Sequence, residues 1–308
     1  MSTSKQEKHK LFVICGPTAV GKTALSIALA EKYNTEIISA DSRQFYKEMD
    51  AGTAKPSARE LIAVKHHFIN SLSIHQEYSA GQYERDALAI LDKLFTRHQV
   101  VFAVGGSGLY LKALTEGLND FPDIPQHIVD SLNDEVQIDG LGNLALELSE
   151  RDPEYFAIVD KDNPHRVIRA LSVIRATGQT FSSFRVADPM ERPFDIHYIR
   201  LGLDREALYA RINNRVNDFL DNGLIEECRL LYPYRNLKSL QTVGYTEVFD
   251  YFNGLYPSLE VAIDKIRQHT RNYAKRQETW LRKHVQEPIY SPLQKDRIVE
   301  EVALILND

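Results

Sequence analysis

Leu11-Phe-Val-Ile-Cys15, followed at once by Gly16-Pro-Thr-Ala-Val-Gly21-Lys22-Thr23, decides how the rest of the chain is read. The apolar run shows no alternation, which suits a strand buried on both faces. The residues after it fit G-x-x-x-x-G-K-[ST], a loop whose glycines let successive backbone N–H groups point into one concavity. Gly16, Pro17, Thr18, Ala19, Val20 and Gly21 form the cradle. Lys22 adds a point charge and Thr23 offers a hydroxyl to Mg²⁺. The helix expected from Thr23 to Tyr33 turns its N-terminus toward the anion. Such a loop binds a di- or triphosphate. Alone, it leaves open whether the phosphate is transferred, hydrolysed or released.

Outward from the loop, apolar strand signals recur at Glu36–Ala40 and Val100–Val104, with a helical pattern from Ser79 to Arg97 between them. Uniformly apolar strands alternating with helices predict an α/β protein with a P-loop NTPase-like parallel sheet flanked by helices. Residues 119–194 break that rhythm. They contain Pro122, Pro125 and Pro153, no apolar strand run, and one clear helix with Asn163 as N-cap, Pro164 at its first position and Gly178 as stop. A helical insertion at 119–194 is expected between core segments 1–118 and 195–308. The second core segment opens with a strand at His197–Leu203, then a helix capped by Asp204 and stopped by Gly223, and is otherwise helical.

The 308 residues are 43% hydrophobic and 26% charged, a composition able to bury a full core. A net charge of −6 excludes a generally basic nucleic-acid coat but allows a local basic patch. Two stretches qualify. In the insertion, 119–160 has Arg151 as its one base among many acids, whereas 161–187 carries Lys161, Arg166, Arg169, Arg175 and Arg185 against Asp162. Near the C-terminus, Lys265, Arg267, Arg271, Lys275, Arg276, Arg282 and Lys283 face a single acid, Glu278, with Tyr273 and Trp280 interleaved. Cations for phosphates and flat rings for bases suit single-stranded nucleic acid; a solvated helix face explains the charges equally well. Cys15 and Cys228 make neither a disulfide scaffold nor a zinc site, and His66, His67 and His75 lack zinc-site spacing. The polar start, Met1 to Lys10, and the short run after it suit neither a signal peptide nor a membrane span, so cytoplasmic residence is expected.

Three further features converge on the cradle. Asp41 follows the second strand, and in an open parallel sheet the carboxyl ends of the strands form the ligand crevice. A carboxylate there can accept a proton from a nucleophile or hold Mg²⁺ through water. Gly105-Gly-Ser-Gly108-Leu-Tyr110 closes the third strand; close backbone approach to a substrate and tight strand–helix packing both account for its glycines. Arg211 and Arg215, four residues apart, share a helix face from which either reaches a pyrophosphate.

Taken in order, Gly16 to Thr23, Ser39-Ala-Asp-Ser-Arg-Gln44, Gly105 to Tyr110, Asn163 to Leu171, Asn214-Arg215-Val with Gly223-Leu-Ile-Glu-Glu227, Val243-Gly-Tyr245 and Ala274-Lys-Arg-Gln-Glu-Thr-Trp280 resemble the bacterial tRNA dimethylallyltransferase family over nearly the whole chain. The resemblance implies transfer of a dimethylallyl group from dimethylallyl diphosphate to N6 of the adenosine 3′ of a tRNA anticodon. The loop would then hold the leaving diphosphate. By the same analogy Asp41 orients and deprotonates the amine, Thr23 supports Mg²⁺ and diphosphate, and Arg215 is the diphosphate-side arginine. The RNA side would take in Asp41, Ser42, Arg43 and Gln44; Ser107; His165, Arg166, Val167, Ile168 and Arg169; Thr242, Val243, Gly244, Tyr245, Thr246 and Glu247; and Lys275, Arg276, Gln277, Glu278, Thr279, Trp280, Leu281 and Arg282. Ser107 stands where Thr is common, Thr246 where a base is frequent, and Gln126 to Asp130 lack an early insertion arginine. The alternatives are the same transfer to free AMP or ADP, and a P-loop kinase acting on a nucleoside or other small molecule.

Overall fold

Strand β1 (Lys10–Cys15) lies at the middle of a six-stranded, all-parallel sheet in a computed structural model that describes residues 8–185 and 189–307. Of the polar start read from Met1 to Lys10, the part before Lys8 lies outside the described residues. After β1 come α1 (Lys22–Lys32), β2 (Ile37–Ser39), α2 (Ala58–Ala63), β3 (His66–His67), α3 (Ala80–Phe95), β4 (Val100–Gly105) and α4 (Gly108–Thr115). The chain then leaves the sheet for α5 (Gln126–Asp139), α6 (Leu141–Arg151), α7 (Pro153–Phe156) and α8 (Pro164–Thr177). It returns as β5 (Asp195–Leu201), α9 (Arg205–Asp221), α10 (Leu224–Leu231), α11 (Tyr245–Phe252), α12 (Leu259–His284), β6 (Ile289–Tyr290) and α13 (Lys295–Asn307).

The sheet order is β3-β2-β4-β1-β5-β6. Lys10 pairs with Val100 on one side and Asp195 on the other, so β1 has ladder partners along both edges. Its side chains then divide by parity. Phe12 and Ile14 face a core shared with Leu25 and Leu29 of α1 and Leu208 and Ile212 of α9. Leu11, Val13 and Cys15 face the opposite core, with Tyr83 and Leu91 of α3 and Leu111 and Leu114 of α4. Burial on both faces explains the unbroken apolar run of β1. At the two edges, β3 and β6 are two residues each, too short to show a period.

By its internal contacts the chain forms two compact units, one running up to Glu116 and resuming at Arg192, the other spanning Gly117–Glu191. At the start of the returning segment the Arg192 guanidinium is buried against Glu84 and the carbonyls of Ala113 and Leu114. The second unit has its own core, with Leu132, Leu144, Leu148, Val167 and Leu171 at its centre. Helix α8 starts as its caps require: Asn163 accepts a hydrogen bond from Arg166 N, and Gly178 ends it at φ 73°. Arg175 of α8 bonds Glu135 of α5 with both terminal nitrogens and also reaches Glu147 of α6.

Candidate active site

Strand β1 ends at Cys15, and the turn after it is one only glycine fits. Gly16 has φ +154° and a Cβ there would stand 2.7 Å from the Leu201 carbonyl oxygen; Gly21 has φ +113°. Lys22 Nζ donates to the carbonyls of Gly16 at 3.0 Å and Pro17 at 2.9 Å. Burial lowers the Lys22 pKa to about 8, Arg215 pushes the same way, and Asp41 opposes them. Cys15 is fully buried and its thiol is pushed up to about 12 by that burial, which makes it inert core.

Helices α9 and α12 hold the crest of the loop. Arg211 donates to the Val20 carbonyl at 2.9 Å, while Arg215 donates to the Thr18 hydroxyl at 3.0 Å. This separates the two arginines. Arg215 lines the cleft in front of the loop, whereas Arg211 secures the loop's backbone. Burial pulls the Arg215 guanidinium below its ordinary value, with Asp41 and Asp218 countering.

The cleft encloses about 740 Å³. Thr18, Lys22 and Thr23 line one part, and Asp41 enters from the end of β2. Asp41 Oδ1 accepts from Arg43 N at 3.0 Å and makes no other hydrogen bond among the described residues. Its neighbours bind inward. The Arg43 guanidinium meets the carbonyls of Ser239 at 2.9 Å and Lys238 and Gln241 at 3.4 Å. Gln44 donates to Thr53 and Ala54 carbonyls at 3.2 and 3.0 Å. Ser42 N donates to Ser107 Oγ at 3.3 Å.

The second glycine turn is tightly packed, and its Gly106 also lines the cleft. A Cβ at Gly105 would lie 2.4 Å from the Ala40 carbonyl oxygen, at Gly106 2.3 Å from Gln277 Nε2, and at Gly108 2.5 Å from the Trp280 ring. Trp280 covers Gly108 and stacks on His284 at 4.5 Å between centroids.

Several residues expected on the RNA side have buried side chains. Val167 and Ile168 are core residues of the second unit, and Leu281 packs under the sheet, each with its side chain in an apolar cluster. Tyr245 is buried with its hydroxyl 2.5 Å from Glu227, and it accepts from Gly52 N. Glu247 is buried too, accepting from Gly244 N at 2.7 Å and pairing with His269 at 2.6 Å, yet it lines the cleft beside Thr242, Val243 and Thr246. Gly244 itself is buried. Glu278 is turned toward Arg200 at 3.6 Å.

What remains exposed has a pattern. Lys275, Arg276, Thr279 and Arg282 form a stripe at helical spacing along α12. The ion pairs of α12 involve Arg267, His269 and Glu278, leaving Lys275, Arg276 and Arg282 without one among the described residues. On the second unit, considered by itself, His165, Arg166 and Arg169 are exposed on α8, with Arg169 over the Phe121 ring at 5.4 Å. Sequence reasoning missed Glu227, which also accepts from Asp50 N and Ala51 N at 2.9 Å. Its place in the segment Gly223–Glu227 was the available signal.

Among the described residues no three His, Cys, Asp or Glu gather as a metal site, and no helix is long and apolar enough to cross a membrane. Residues 44–284 match the family described as IPP transferase. The tRNA dimethylallyltransferase of Christiangramia forsetii is 52% identical over 89% of this chain and 90% of its own. A tRNA dimethylallyltransferase 1 of Bacteroides fragilis is 44% identical over 94% and 96%. Among solved structures, the tRNA isopentenylpyrophosphate transferase of Bacillus halodurans superposes with TM-score 0.70 at 35% identity, covering 97% of each chain. A eukaryotic dimethylallyltransferase acting on tRNA gives TM-score 0.74 at 28% identity over 89% of this chain and 70% of that one. With the loop, the carboxylate and the clasping helices in one arrangement, this chain belongs to the IPP transferase family.

Proposed function

We infer that the chain transfers a dimethylallyl group from dimethylallyl diphosphate to N6 of the adenosine 3′-adjacent to a tRNA anticodon, releasing diphosphate. One observation carries this reading: the phosphate loop, Arg215 and Asp41 open into a single cleft. In the reaction the allylic C–O bond breaks, the C–N6 bond forms, and N6 gives up a proton. Charge collects on the departing diphosphate, where loop N–H groups, Lys22 and Arg215 are already fixed to receive it. Asp41, with one carboxylate oxygen steadied by Arg43 N, takes the N6 proton.

The donor set suits Mg²⁺. Thr23 and Asp41 supply hard oxygens at the cleft, and with no cluster of three protein ligands among the described residues the ion would complete its shell from diphosphate and water. Mg²⁺ held there would neutralise diphosphate charge.

An adenine reaches such a cleft only after leaving the base stack of the anticodon loop. Exposed cations on α12 (Lys275, Arg276 and Arg282) are the proposed phosphate contacts on the first unit, and His165 and Arg166 those on the second. Labelled dimethylallyl diphosphate incubated with an adenosine-containing anticodon stem–loop tests the reading. Label should enter the RNA in preference to free AMP. Consumption of ATP with phosphoryl transfer in place of prenyl transfer would overturn it.

A further inference from the structure

Gln277 sits on the same helix as the exposed basic stripe, and sequence order groups it with the RNA-side residues. Its surroundings differ from theirs. The residue is buried, 7% exposed, between the phosphate loop and the second glycine turn. Its Oε1 accepts from Thr18 N at 2.8 Å, and its Nε2 donates to the Gly106 carbonyl at 2.8 Å.

The two partners demand opposite chemistry. A backbone N–H needs an acceptor and a carbonyl needs a donor, and a primary amide is the uncharged side-chain group that supplies both from one plane. A carboxylate lacks the donor, and Asn is one methylene shorter. The fit is close: even a methyl group on Gly106 would collide with Gln277 Nε2 at 2.3 Å. Both polar ends of the side chain are therefore engaged inside the protein.

Thr18 extends the connection. Its N–H is held by Gln277 while its hydroxyl accepts from Arg215 at 3.0 Å. On the other side, Gly106 precedes Ser107, whose hydroxyl accepts from Ser42 N next to Asp41. One amide thus ties the diphosphate half of the cleft to the half that carries the carboxylate.

We propose that Gln277 is a positioning residue for the diphosphate side, acting through Thr18 on the loop and Arg215, and not an RNA contact. The proposal rests on the prenyl-transfer reading for its kinetic test, so binding of inorganic diphosphate is measured alongside. Gln277→Met keeps the volume and removes both hydrogen bonds; Gln277→Asn keeps the amide but falls short of one partner.

For both variants kcat/KM for dimethylallyl diphosphate should fall about ten- to hundredfold, the scale of leaving buried partners unsatisfied. Affinity for inorganic diphosphate should fall with it. The dissociation constant for the anticodon stem–loop should stay within about twofold, a split that general misfolding would not produce. Thermal melting identifies a variant that fails to fold, and the other then decides. Weakened RNA binding with diphosphate affinity intact would overturn the assignment, as would no change in either. A wild-type protein that binds diphosphate but transfers no prenyl group would instead sink the functional reading and leave the Gln277 test standing on diphosphate binding.

Discussion

The phosphate loop and the outer stripe of α12 are both cationic, but they are built in opposite ways. Around the loop every cation is already committed: Lys22 to two carbonyls, Arg211 to Val20, Arg215 to Thr18. On the stripe, Lys275, Arg276 and Arg282 are exposed and without an ion pair among the described residues, Arg276 at the lining of the cleft. A preorganised set pays its ordering cost during folding and can recognise one small anion at one place. A free set keeps its mobility and suits a long polyanion, whose binding releases counterions and so weakens as salt rises.

That contrast can be broken or sharpened by experiment. The largest effect is expected at Asp41, which lies on the committed side. Asp41→Ala should lower kcat by ~10²-fold or more, the range of a general base, while leaving stem–loop affinity close to wild type in a filter-binding assay. Unchanged turnover would remove the carboxylate from the reaction. Next comes Gly108→Ala, which drives a methyl group into the Trp280 ring 2.5 Å away. A destabilisation of about 1–3 kcal/mol is expected in denaturant unfolding. A stable variant with weakened substrate binding would restore close substrate approach as the reason for this glycine.

A pH series on Lys22 tests the committed cluster more finely. Its pKa in the free protein is lowered to about 8, and bound diphosphate must raise it by favouring the charged form. Between those two values binding takes up a proton, so affinity should fall as pH rises above about 8, by up to ~tenfold per unit. Below that pH Lys22 is charged with or without ligand and its contribution is flat. Calorimetry with inorganic diphosphate in two buffers of different ionisation enthalpy would detect the proton directly. The smallest effect belongs to the stripe. Arg282→Ala should weaken stem–loop binding a few-fold and reduce the salt slope by about one, leaving diphosphate affinity alone.

The same contrast explains what could be read from sequence. A phosphate loop is a backbone conformation, and its glycine spacing is local, so Gly16 to Thr23 announced it. The central strands announced themselves because burial on both faces leaves an apolar run. Edge strands β3 and β6 carry two residues each and leave no period to detect. Helix α8 shows two readings in competition: Val167 and Ile168 have the spacing of a core face and the company of RNA-side residues, and the core reading prevailed for their side chains. Gln277 was beyond reach for another reason. Its partners Thr18 and Gly106 are more than a hundred residues away along the chain, and only the folded sheet brings them together. The glycine turn, evenly balanced between packing and substrate approach in the sequence, is crowded by Ala40, Gln277 and Trp280 atoms while its Gly106 lines the cleft, so both reasons hold.

The clasp of Arg175 on Glu135 and Glu147 has a consequence for the second unit. Hydrogen bonds from Arg175 hold both carboxyls below their ordinary range. Stabilisation from such depressed acids is complete above their unfolded values and drains away as acidity climbs through the folded ones. Acid should therefore loosen the polar clasp of Arg175 on α5 and α6, while the apolar core that these helices share with α8 keeps the unit packed.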